Sequence, residues 1–259
     1  MVIIRSTCIL MQIDSTLSPG CSAIHPVNKN ERMQKRDVIL LYARAPAAGR
    51  VKSRLAVGTD SSAGIGADAA AEVYRHLLMH CLAQLQPLSG SARLIAETPD
   101  AGDTDALSTL APWLDAVRPQ SGADIGERMR HSFARAFSEG ASAALLAGSD
   151  LPDIHTGIFQ EGFESLRSHD VVIGPACDGG YYLIGMREPY PSLFEITGWG
   201  GPHVLRDTLR QAEALRIRVA LLPELQDIDT AAALNTWLQH NLGHPLRAPL
   251  QTHIVSHIT

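Results

Sequence analysis

The stretch DVILLYARAPAAGRVKSRL, residues 37–55, runs from a buried-looking β segment, DVILLYA, straight into a loop that holds proline, glycine and four cations. Arg44, Arg50, Lys52 and Arg54 fall within 11 residues, where a first strand would deliver them to the edge of a sheet. The chain draws almost all its positive charge from arginine, and Lys52 is the only lysine after Lys35. A compact point charge is therefore expected at position 52. The loop is not a Walker A loop, because Arg50 and Val51 separate Gly49 from Lys52. Two readings stand: an anion cradle where a strand meets a Gly-containing turn, or a solvated basic turn that ends a strand.

Outward from this loop the pattern alternates between helical and strand periodicity. Ala67 to Leu85 carries apolar residues at helical spacing, Ser91 to Glu97 reads as a second strand, and a short helix is expected over Asp105 to Leu114. Ala116 to Arg118 is a short strand. Asp124 to Phe137 is an amphipathic helix with Ile125, Met129, Phe133 and Phe137 on one core-facing stripe. SAALLAGSD, from Ser142, is a continuous apolar run of the kind found in a central parallel strand. A helix over Gly157 to Ser168, the strands DVVIGP and GYYLIGM, a helix over Pro202 to Leu215, the late strand RIRVALLP and a helix over Thr230 to His240 complete the series. This order predicts a mostly parallel sheet with helices on both faces, its ligand at the carboxyl ends of the strands.

Three acidic positions follow strands. Asp150 ends the central apolar run and precedes Leu151-Pro152. A carboxylate there suits a hard cation bridging to phosphate oxygens, and equally a turn or cap for the next helix. Asp178, before Gly179 and Gly180, fits either close approach of backbone to a ligand or a plain hairpin turn. Asp227 and Asp229 can divide between metal binding and capping the helix that starts at Thr230.

With 259 residues the chain holds one domain, or one and a tail. A hydrophobic content of 45% with 19% charged residues describes a soluble globule, and a net charge of −5 excludes coating of nucleic acid through its backbone. A local basic patch on an acidic protein suits a small anionic ligand. Cys8, Cys21, Cys81 and Cys177 are scattered without zinc-like or paired spacing, which fits a reducing cytoplasm. No apolar run reaches the roughly 18 residues of a membrane span. The start of the chain shows no signal-peptide pattern, and residues 1–35 read as a poorly ordered extension. From Gly243 to residue 259 the sequence reads as a patternless tail.

GRVKSRL, PQSGADIGERM, GSDLPDI, GPACDGGYYLIG, the Phe194 to Trp199 stretch and QDIDTAAAL resemble, in order, the motif blocks of the DUF2064 family, provisionally described as nucleotide-diphospho-sugar transferases. The resemblance runs from about Asp37 to Trp237, and its DGGYYLIG block is the most specific part. More distantly the layout is similar to molybdenum cofactor and phospholactate guanylyltransferases. The resemblance implies a GT-A-like, Rossmann-type α/β/α sandwich over residues 36–242 that uses Mg²⁺ or Mn²⁺. It implies that Arg44, Gly49, Lys52, Ser53 and Arg54 hold nucleotide phosphates, that Gln120 and Gly122 meet the base, and that Asp150 and Asp229 bind the metal. Lys52, Asp150 and Asp178 are the candidate catalytic residues, Asp178 as base. Many relatives carry an acid late in the first long helix, where this chain has His80 and Cys81. Three functions follow as expectations: glycosyl transfer from a nucleotide sugar to a small-molecule acceptor, nucleotidyl transfer from a nucleoside triphosphate with release of pyrophosphate, or nucleotide binding without turnover.

Overall fold

The computed structural model describes residues 37–59 and 62–253. The expected extension, residues 1–35, lies outside them. In chain order the strands are β1 (Asp37–Tyr42), β2 (Gly58–Thr59), β3 (Ser62–Ala63), β4 (Arg93–Thr98), β5 (Ala116–Pro119), β6 (Ala143–Gly148), β7 (Val171–Pro175), β8 (Tyr181–Met186) and β9 (Val219–Leu221). The helices are α1 (Ser53–Val57), α2 (Ala67–Leu85), α3 (Thr104–Leu110), α4 (Ile125–Ser138), α5 (Thr156–Ser165), α6 (Val204–Ala214), α7 (Ala231–His240) and α8 (Arg247–Gln251).

Seven strands form one sheet in the order β5-β4-β1-β6-β8-β7-β9, and β2 pairs with β3 in a separate hairpin. All neighbours in the large sheet run parallel except β8, which is antiparallel to both β6 and β7. Side chains of a strand alternate between its faces, and β1 shows the result. Ile39 and Leu41 enter one core with Tyr74, Leu78 and Leu82 of α2 and Phe159 of α5. Val38 and Leu40 enter the other with Met129 and Phe133 of α4 and Ala212 of α6. The result is the expected three-layer α/β/α sandwich. A third core lies outside it, where Val73 and Leu77 of α2 meet Leu55, Trp237 and Leu250.

The strand GYYLIGM sits within the sheet between β6 and β7, and Gly185 lets it do so. A Cβ on Gly185 would come 2.3 Å from Leu145 Cδ2 and 2.9 Å from Val172 Cγ1. Leu145 is fully buried and also presses on Gly162, so it has little room to yield. Gly185→Ala is expected to lower the unfolding free energy by about 1–3 kcal/mol, the usual cost of overpacking. Urea denaturation followed by far-UV circular dichroism measures it.

Two expectations change in detail. The late strand shrinks from RIRVALLP to Val219–Leu221, an edge strand on β7, with Arg216 in a left-handed turn at φ 57°. The stretch from Gly243 holds α8, whose Leu250 is buried against the outer core together with Leu246. A five-residue helix is too short to show a period, which is why the sequence displays no pattern there.

The topology fixes where the chemistry can lie. The chain moves from β1 to β4 and β5 on one side, then crosses to β6 on the other side of β1. The crevice between the carboxyl ends of β1 and β6 is a topological switch point. Tyr42 and Gly148 are register partners there, so the basic loop after β1 and the Ser149-Asp150 turn after β6 begin side by side.

Candidate active site

Lys52 occupies the switch point. It adopts a left-handed backbone (φ 50°, ψ 47°) at the start of α1, a conformation that L side chains other than Asn and Asp seldom take. That backbone turns the side chain inward: Lys52 is only 5% exposed, and its Nζ lies 2.8 Å from Asp150 Oδ2 and 3.6 Å from Asp229 Oδ1. Burial disfavours the ammonium, but the charges of Asp150, Asp229 and Asp227 together with the Asp150 hydrogen bond outweigh it and raise the Lys52 pKa. Arg54 Nη1 holds the other oxygen of Asp229 at 2.8 Å. Asp227 stands behind this group, its pKa pushed up to about 6 by burial and by the charges of Asp150, Asp178 and Asp229.

The remaining cations of the loop divide between scaffold and cleft. Arg50 pairs with Asp100 and, at 2.8 Å, with buried Asp103, whose Oδ2 accepts a hydrogen bond from the Ala45 amide at 3.0 Å. It ties the basic loop to the turn after β4. Arg44 lines the cleft and, among the described residues, forms no ion pair. Its amide donates to Tyr74 Oη at 2.9 Å, and that hydroxyl pairs with Ser149 Oγ at 2.8 Å, so one tyrosine of α2 spaces both rims.

Two chambers open from this point. A cleft of about 540 Å³ is lined by Arg44, Gly49, Arg50, Lys52, Ser53, Gln120, Arg128, Asp150 and Asp229, among others. A second cavity of about 290 Å³ is lined by Met129, Asp178, Tyr181, Tyr182, Trp199 and Asp227, among others. Tyr42, Ile125, Gly148 and Asp150 line both, so Asp150 stands at the doorway.

Most residues singled out from sequence thus converge on adjoining spaces. Arg54 and Gly122 do not line the cleft: Arg54 acts on Asp229 from outside, and Gly122 packs on the start of α4. Its φ is 141°, and a Cβ there would come 2.7 Å from the Arg128 amide nitrogen. Asp178 lies in the second cavity, where its Oδ1 accepts a hydrogen bond from the Gly180 amide at 2.8 Å. The helical stripe read as core splits: Met129 and Phe133 are buried, whereas Ile125 is 36% exposed and forms part of the wall between chambers. His80 faces the Ile154 carbonyl at 2.9 Å and Cys81 is fully buried, so neither side chain lines the cleft.

Tyr74 and Arg128 were not found by sequence reasoning. Tyr74 looks like any apolar position of its helix. Arg128 lies in PQSGADIGERM, four residues after the Asp124 cap, and a cation on the first turn of a helix is the feature that marks it. Like Arg44, it forms no ion pair among the described residues; its Nε donates to the Gly122 carbonyl at 3.2 Å.

Behind the doorway lies a buried acid. Glu97 is 1% exposed and its Oε2 meets Ser132 Oγ, which also contacts the Arg128 carbonyl at 2.9 Å and Tyr42 Oη at 2.8 Å. Burial raises the Glu97 pKa against the opposing Ser132 hydrogen bond and arginine charges. Because the folded pKa exceeds the ordinary 4.5, the stabilising contribution is complete below that pH and is lost as pH rises through the folded value. Wild type is therefore expected to lose stability relative to Glu97→Gln across that rise, measured as urea midpoints in a pH series.

Asp150 and Asp229 fit a divalent cation by their donor chemistry. Both converge on a single ammonium, both are about one-third exposed at 35% and 33%, and both adjoin a cleft with unpaired arginines. Among the described residues no group of three or more His, Cys, Asp or Glu is placed to hold a metal ion. Two carboxylates that leave the rest of the shell to phosphate oxygens and water are a habitual Mg²⁺ site.

A switch-point cleft with a cationic loop on one side and carboxylates on the other, in a mostly parallel α/β/α sandwich, is the architecture of nucleotide-utilising transferases. The chain belongs to the DUF2064 family. The family model described as "Uncharacterized protein conserved in bacteria (DUF2064)" matches residues 81–201. A Desulfovibrio desulfuricans G20 protein of known structure, provisionally named a nucleotide-diphospho-sugar transferase, is 32% identical over 86% of this chain and 98% of its own, with a TM-score of 0.76. Two further structures share the fold. The 4-diphosphocytidyl-2C-methyl-D-erythritol synthase of Anaerococcus prevotii DSM 20548 is 12% identical over 82% of this chain and 100% of its own, TM-score 0.51. A nucleotidyl transferase of Methanothermobacter thermautotrophicus is 13% identical over 80% and 98%, TM-score 0.50. No curated protein matches the chain. No helix among the described residues is long and apolar enough to cross a membrane.

Proposed function

We propose that this protein is a metal-dependent glycosyltransferase that uses a nucleoside-diphosphate sugar. The observation that carries the reading is the pair of chambers meeting at Asp150: one supplies unpaired arginines and the buried lysine, and the other has no Lys, Arg or His in its lining. The first suits a diphosphate. A phosphorylated acceptor would have to enter a chamber whose charged lining, among the described residues, is Asp150, Asp178 and Asp227, which disfavours nucleotidyl transfer to such an acceptor.

In this reading Arg44 and Arg128 bind the nucleotide phosphates and Gln120 faces the nucleotide from the far wall. Asp150 and Asp229 would hold Mg²⁺ or Mn²⁺, which when bound neutralises charge that builds on the leaving diphosphate. Lys52 adds a fixed cation at the same place, and fixed charges cost no reorganisation as the reaction proceeds. The acceptor oxygen attacks the sugar carbon from the second chamber, the bond from that carbon to the β-phosphate oxygen breaks, and the nucleoside diphosphate leaves with the electron pair. Asp178 takes the acceptor proton.

Nucleotidyl transfer remains the second reading, because the same cationic cleft fits a triphosphate. Incubation with nucleoside-diphosphate sugars and nucleoside triphosphates, with Mg²⁺ or Mn²⁺, separates the two by product. Release of nucleoside diphosphate is expected. Pyrophosphate instead establishes nucleotidyl transfer, and tight binding without either product leaves a nucleotide-binding protein.

A further inference from the structure

The second chamber has a built aromatic wall. Trp199 sits in the loop Gly198-Trp199-Gly200-Gly201, with Gly198 at φ 79° and Gly200 at φ 81°, so the chain turns sharply on both sides of the indole. The edge of the ring lies on the first turn of α4, where Gly126 leaves space for it: a Cβ on Gly126 would come 2.3 Å from Trp199 Nε1. Trp199 stacks on Phe194 with centroids 6.5 Å apart, and Phe194 on Phe133 at 5.9 Å. Three rings thus connect the chamber wall to the core between α4 and the sheet. The same lining carries Asp178 and Asp227, with Asp150 at the doorway.

We infer that this chamber selects its acceptor by charge and shape: an uncharged or cationic hydroxyl compound with an apolar ring face that lies against Trp199, with phosphorylated and carboxylated compounds turned away. The inference rests on the nucleotide reading only for the word acceptor. The selectivity follows from the chamber itself. An anion entering it would lose hydration and face Asp178 and Asp227, with no Lys, Arg or His among the described residues of the lining. A neutral ring covers the indole face and keeps its hydroxyls for Asp178, and an amine gains a cation–π contact and an opposite charge.

Saturation-transfer NMR on the full chain tests this with paired probes: methyl glucoside and glucosamine against glucose 6-phosphate, glucosamine 6-phosphate and gluconate. The unphosphorylated, uncharged or cationic members are expected to bind, and each phosphorylated member to bind at least about tenfold more weakly than its parent. Asp178→Asn narrows that ratio. Trp199→Ala removes the binding, and Gly126→Ala weakens it by displacing the indole while leaving nucleoside-diphosphate affinity, measured on the same samples, as in wild type. Equal or tighter binding of the phosphorylated members, no binding by any neutral or cationic member, or full binding by Trp199→Ala overturns the inference. Loss of the nucleotide reading looks different: no nucleoside diphosphate or triphosphate binds the wild type, while the selectivity among sugars persists.

Discussion

Replacing Lys52 by methionine lowers the transfer rate by about 10²–10³-fold, the loss typical of removing one fixed charge from a site where negative charge develops. The same change lowers stability. Asp150, Asp229 and Asp227 then face one another without the buried ammonium that lies 2.8 Å from the first and 3.6 Å from the second. Breaking a fully buried pair costs about 3–5 kcal/mol, and because water reaches one side of both nearer carboxylates the expected loss here is about 1–3 kcal/mol. Stopped assays of nucleoside diphosphate release and urea denaturation measure the two effects. Backbone strain is separable from charge: Lys52→Gly is expected to be about 1 kcal/mol more stable than Lys52→Ala, because only glycine takes φ 50° without penalty. Equal stability of those two variants would remove the strain from the account and leave the charge argument as it stands.

Asp150→Asn is expected to abolish the increment that Mn²⁺ adds to nucleoside diphosphate affinity and to reduce transfer by about 10³-fold. Asn keeps the volume and cannot supply the charge. Binding without metal persists, since Arg44 and Arg128 also line the cleft and are untouched by the substitution. The fold persists as well, because Asp229 still faces the Lys52 ammonium. Calorimetric titration with and without Mn²⁺ reads the first effect, and a metal increment equal to that of wild type would remove Asp150 from the metal site.

The parts of this site visible in the sequence are those announced by contrast. A lysine in an arginine-using chain marked position 52, and an aspartate closing a wholly apolar run marked position 150. Asp150 follows the end of a central strand and Lys52 sits in the loop after another, and central strands are where the sequence pattern is strongest. The direction of β8 was legible only as one of two readings of Asp178-Gly179-Gly180, the hairpin turn, and β7 and β8 do pair antiparallel across it. The hairpin of β2 and β3 was missed since two-residue strands have no period. Tyr74 and Arg128 were missed because helix spacing identifies a face and says nothing about what the end of a side chain reaches. Ile125 was assigned to the core for the same reason: one stripe of α4 serves both the interior and the wall between the chambers.

The reversed strand also orders events at the ribosome. β7 follows β6 in the chain but borders it only through β8, so a nascent polypeptide that has emerged as far as Gly180 has nothing to lay on the side of β6 away from β1. Until Tyr181–Met186 appears, the backbone groups along that side of β6 are open to any other extended chain. Products that terminate between residues 149 and 180 are therefore expected to aggregate through that open edge, whereas those ending past Met186 can cover it themselves.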